Sequence, residues 1–74
     1  MKYFLVVFDR RRRLLEEVQE FADSDVAVRA RFEREAHLHG QSDIEVVVLG
    51  AASREALENT HSRYFGSVRE LTQA

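Results

Sequence analysis

Residues 10–22 read Arg10-Arg11-Arg12-Arg13-Leu14-Leu15-Glu16-Glu17-Val18-Gln19-Glu20-Phe21-Ala22, and their conformation decides the topology of the chain. Leu14, Leu15, Val18, Phe21 and Ala22 fit the apolar stripe of an amphipathic helix, and periodicity alone favours that reading. As a strand over 14–21 the alternation is imperfect, because Leu14 and Val18 fall on one face and Leu15 and Phe21 on the other. Two arguments weigh for the strand. A helix over 10–22 followed by another from residue 25 leaves no room for a joint. Four consecutive arginines at a helix start also oppose the positive end of its dipole. The expectation is therefore a hairpin turning over Asp9–Arg13, with a helix over 10–22 as the alternative.

Working outward, residues 2–8 are aromatic and β-branched and stop at a charged cluster, which predicts a strand. Phe4, Val6 and Phe8 share one face, and Tyr3, Leu5 and Val7 the other, so this strand needs cover on both sides. Residues 44–49 predict a second clear strand, with Ile44, Val46 and Val48 opposed to Glu45, Val47 and Leu49. A helix is predicted over 25–39. Asp23 or Ser24 caps it, Asp25 suits its dipole, and Gly40 stands at the C′ position. Its stripe runs through Ala27, Val28, Phe32, Glu35 and Ala36. A second helix is predicted over 54–72, capped by Ser53, with Leu57, His61, Tyr64 or Phe65, Val68 and Leu71 recurring at three and four. Gly66 interrupts that pattern at about 1 kcal/mol relative to Ala.

The fold class is α+β: one compact domain over 1–74, in the order ββαβα, with βααβα as the alternative. The first and third strands are expected to touch, and both helices to lie on one face of a three-stranded sheet. The other face would then carry Phe4, Val6 and Phe8 or Tyr3, Leu5 and Val7, beside Val47 and Leu49 or Ile44, Val46 and Val48, an apolar patch larger than a monomer ordinarily shows. This predicts a two-fold homodimer packed sheet to sheet, with Phe4, Val6, Phe8, Val47 and Leu49 as the chosen interface. The alternative is that the second helix beyond Gly66 covers that face within the chain.

Composition limits the remaining readings. The 74 residues contain no cysteine and no proline, so disulfides and thiolate metal sites are excluded. A chain this short buries only roughly 60% of its unfolded surface, which makes oligomerisation the natural stabilising device. Net charge is −2, which counts against a protein devoted to gripping nucleic acid. The run Tyr3–Phe8 is shorter than the apolar core of a secretion signal, and no run approaches a membrane span, so a cytoplasmic protein is expected. Arginine supplies nearly all the positive charge, suggesting GC-rich coding DNA and a bacterial source. The opening Met1-Lys-Tyr-Phe-Leu-Val-Val-Phe-Asp9 is similar to the first strand of small dimeric α/β-barrel proteins. Those have a longer chain and a fourth strand, so their chemistry is not carried over.

Four constellations merit inspection as sites. His61 and Tyr64, at i and i+3 with Arg63 beside them, offer a proton-transferring imidazole, a phenol and an anion holder. Arg10, Arg11, Arg12 and Arg13 form a cationic run suited to phosphate, though Asp9, Glu16 and Glu17 flank it. His37 and His39 with Asp43 have poor metal geometry, because residues two apart on a helix point to different sides. Leu49-Gly50-Ala51-Ala52-Ser53 joins a strand to a helix start and can hold a small anion. Each has a plainer reading, respectively a packed core histidine, a solvated turn, a helix C-terminus and an ordinary cap. No glycine-rich nucleotide loop or nucleophile elbow is present. The functional expectation is a self-associating, non-catalytic interaction module with no cofactor and no metal. A nucleic-acid accessory protein using Arg10–Arg13 and a small enzyme or anion binder using His61 and Tyr64 are the alternatives.

Overall fold

A computed structural model describes residues 1–38, 40–62 and 64–65. The decisive stretch is a strand. β1 (Lys2–Asp9) and β2 (Leu14–Phe21) form an antiparallel hairpin, followed by α1 (Ser24–His37), β3 (Ile44–Ala51) and α2 (Arg54–Thr60). The sheet order is β2-β1-β3, and β1 is antiparallel to both neighbours. The protein is thus an α+β fold of order ββαβα.

The imperfect alternation of β2 has a local cause. Val7 pairs with Glu17, but Phe8 pairs with Leu15, so Glu16 is an extra residue in a β-bulge. A bulge shifts the pleat by one residue. It returns Leu15 to the face of Val18, where both pack beside Phe4, Val6 and Phe8. The turn over 10–13 is closed by the Asp9 carboxylate, which accepts from the Arg12 N–H at 3.0 Å. Arg13 completes it with φ 53, in the left-handed region.

One expectation is overturned. The helices lie on opposite faces of the sheet. α1 covers the face of Leu5, Val7 and Val46, whereas α2 and the following Tyr64 and Phe65 cover the face of Phe4, Val6 and Phe8. The reason is visible in β1, whose residues from Phe4 to Phe8 are all buried, Val6 completely. A central strand apolar on both sides requires a helix on each side. The patch assigned to sheet-to-sheet association is consequently the core of the chain. Phe4, Val6 and Phe8 are buried against Leu57, Tyr64 and Phe65, with Val47 and Leu49 partly buried around them.

The helix ends follow the cap residues. The Asp23 carboxylate accepts from the Asp25 N–H at 2.8 Å, and the Ser53 hydroxyl accepts from the Ala56 N–H at 3.1 Å. α1 ends with Leu38 as its C-cap, and Gly40 follows with φ 85. α2 stops at Thr60 with His61 as its C-cap. The remainder of the predicted second helix, from Gly66 through Val68 and Leu71, lies outside the described residues.

α1 also turns differently from the stripe read in the sequence. Its only buried residue is Ala27. Ala27, Ala30 and Arg34 face the sheet, and Arg34 is anchored there by a bidentate pair to Glu17 of β2, at 2.5 and 2.8 Å. Val28 and Phe32 are instead exposed, Phe32 to 63%.

Candidate functional site

The pair first considered for catalysis is engaged by other residues. The Tyr64 hydroxyl donates to the Glu45 carboxylate of β3, and its ring meets Phe8 edge to face at 5.4 Å. The His61 Nδ1 is 2.9 Å from the Thr60 hydroxyl. Tyr64 is therefore a packing residue with its polar tip satisfied, as buried tyrosines ordinarily are. Arg63 lies outside the described residues.

The arginine run occupies the exposed β1–β2 turn, as read from the sequence, but its members differ in use. Arg10 is held to β3: its Nη2 donates to the Ser42 carbonyl at 2.5 Å, and its Nε stands 4.0 Å from the Glu45 carboxylate. Arg11 and Arg12 border a shallow cleft that also contains Asp9 and Asp43, so the local field is mixed in sign. Arg13 is exposed at the end of the turn. His37 is at the exposed end of α1, while His39 lies outside the described residues. Among the described residues no group of three or more His, Asp or Glu side chains is placed to hold a metal ion. At the Leu49–Ser53 junction, Ser53 is spent on capping α2.

A surface that sequence reasoning missed lies along the β3 side of α1. β3 is an edge strand. Arg10 N–H donates to the Asp43 carbonyl, so odd-numbered residues of β3 turn their backbone groups toward β1. Val46, Val48 and Gly50 therefore direct N–H and C=O outward, and no described residue pairs with them. The opposite edge, β2, is blunted by the Glu16 bulge and by Glu17 and Glu20. β3 has Glu45 as its one charged residue among eight, and among the described residues none of the usual devices against strand addition is present.

Of the exposed apolar residues of α1, Val28 lies toward this same edge. Glu35 and Leu38 line a groove of about 430 Å³ with Ile44 and Val46, which fixes the β3 side of the helix. Val28 is seven residues, two turns, before Glu35 and lies on that side, whereas Phe32 is as near to Arg29 as to Glu35 and points away from the sheet-facing Ala27, Ala30 and Arg34. Val26, Arg29, Glu33 and His37 border the β2 side instead. Val28 and a strand edge that no described residue pairs thus lie along one border of the described residues. The low number of apolar residues actually facing the sheet from α1 was the missing signal, and it depends on the rotation of the helix, which periodicity does not supply.

No helix among the described residues is long and apolar enough to cross a membrane. Comparison with known proteins found no matching family model, no matching curated protein and no matching solved structure.

Proposed function

We propose that this chain is a non-catalytic protein-interaction module that works by self-association. The observation that carries the reading is the outward-facing β3 edge, which no described residue pairs, with Val28 exposed on the neighbouring flank of α1. Unpaired backbone groups on a flat apolar edge are a template for another strand, and the exposed isopropyl group supplies apolar area next to it. The engagement of the Tyr64 hydroxyl by Glu45 and of its ring by Phe8 favours this reading over the enzymatic one. A cytoplasmic setting belongs to the same proposal, because a secreted domain of this size would ordinarily be stapled by disulfides and this chain has no cysteine.

The test is molar mass by light scattering on a sizing column over a range of concentrations. The expected result is at least twice the chain's 8.6 kDa, falling to one chain's mass in Val48→Pro, which removes an outward-facing N–H of the β3 edge. A parent protein that stays at one chain's mass from about micromolar to millimolar concentration, a range that tests free energies of roughly 8 to 4 kcal/mol, overturns the proposal.

A further inference from the structure

Beyond self-association, we infer that the cleft beside the β1–β2 turn binds a small zwitterion, an aliphatic α-amino acid. The cleft has a volume of about 590 Å³. It lies between that turn and the segment from Gly40 to Ile44, just past the C-terminal end of α1. The charged side chains lining it are Asp9, Asp43, Arg11 and Arg12.

Asp9 carries the argument. It is the one buried charged residue among the described residues, with 7% of its surface exposed. One carboxylate oxygen accepts from the Arg12 N–H at 3.0 Å. The second oxygen has no donor among the described residues. A buried carboxylate has room for several hydrogen bonds, and an oxygen left without one calls for a donor from outside the chain. Asp9 borders the cleft, so that donor arrives through it.

The other charges select which donor. Neither Arg11 nor Arg12 forms an ion pair with Asp9 or Asp43, so groups of both signs surround one space without neutralising each other. A simple anion is drawn by the guanidinium groups but repelled by two carboxylates. A simple amine meets the reverse. A molecule bearing both charges finds an opposite charge for each. Its ammonium belongs at Asp9 and Asp43, near the negative end of the α1 dipole. Its carboxylate belongs at Arg11 and Arg12, which are exposed and whose planar forks match a carboxylate. Among the described lining residues the one apolar side chain is Ile44, which suits an aliphatic amino acid over a polar one.

L-Leucine is the probe, with isoamylamine and 4-methylpentanoate as the analogues that lack its carboxylate and its ammonium. An amide NMR titration of the full chain should give saturable shifts at Asp9–Arg12 and Gly40–Ile44. L-Leucine should bind about tenfold tighter than either analogue, the worth of one charge-assisted contact. Asp9→Asn keeps an oxygen for the Arg12 N–H, so the turn holds, but removes the negative charge; it should weaken L-leucine by about tenfold. The double variant Arg11→Ala, Arg12→Ala retains both backbone N–H groups and should do the same. Circular dichroism of both variants verifies folding. No saturation up to about 10 mM, the weak limit of a specific small-molecule site, overturns the inference. Isoamylamine binding as tightly as L-leucine overturns the zwitterion. Unchanged affinity in a folded Asp9→Asn variant overturns the part given to the buried carboxylate, and unchanged affinity in the double variant the part given to the arginines.

Discussion

Leu57→Ala tests the assignment of α2 as the cover of one sheet face. Leu57 is the only buried residue of α2, fully inaccessible and packed with Phe4, Val6 and Phe65. The substitution removes three carbons, about 2.4 kcal/mol at 0.8 kcal/mol each. The rigid β-sheet beneath cannot collapse fully into the space, so the cavity raises the loss to about 3–4 kcal/mol. A domain of 74 residues has a total stability of roughly 4–11 kcal/mol, so a third or more is lost. Urea unfolding followed by circular dichroism reads this as a midpoint lowered by about 3 M for a slope near 1 kcal/mol/M. Parent and variant are compared at one protein concentration, since association ties stability to concentration. A loss below about 1 kcal/mol would refute the reasoning, because Phe4 and Val6 would then owe their burial to something other than this leucine.

Three further outcomes follow from the contacts. In a double-mutant cycle, Glu17→Ala and Arg34→Ala should show coupling of about 0.5–1 kcal/mol, limited because both side chains are about a third exposed; coupling near zero would mean that α1 is held by Ala27 and Ala30 alone. Tyr64→Phe keeps the ring contact with Phe8 but removes the hydrogen bond to Glu45, and should cost about 1–2 kcal/mol in denaturant unfolding. Gly40→Ala meets no atom within 4 Å yet should cost about 1 kcal/mol through its positive φ alone, and an unchanged midpoint would remove the left-handed turn from the account of α1's end.

The hairpin was legible because crowding and dipole arguments outweighed periodicity at 10–22. The caps were legible because Asp23 and Ser53 are short acceptors placed just before helical runs. The disposition of the helices was not. Sequence shows that β1 is apolar on both faces, yet it does not say whether the second cover comes from the same chain. Leu57, Tyr64 and Phe65 provide it. Phe32 was misplaced for a related reason: the Val28–Phe32–Ala36 pattern satisfies helical spacing, but the Arg34–Glu17 pair and the small Ala27 and Ala30 set a different rotation and turn the phenyl outward. The Glu16 bulge could be suspected from faulty alternation but not located by it. Of the candidate sites, the exposed arginine turn was foreseen, whereas the engagement of Tyr64 by Glu45 and Phe8 depends on β3 and β1, which helical spacing does not report.

Because β1 is buried on both faces, its two covers are acquired at different times during synthesis. Phe4 precedes Leu57 by 53 residues. At the usual pace of about 5–20 residues per second, a ribosome takes roughly 3–10 s to close that interval. The β1–β2 hairpin can form early, and α1 can settle on one side of it, while Phe4, Val6 and Phe8 face water until α2 emerges. The nascent chain is most adhesive in that interval, and what protects it then is the cluster of arginines and glutamates around the hairpin. The same charges that look idle in the finished fold are thus the solubilising group of the unfinished one.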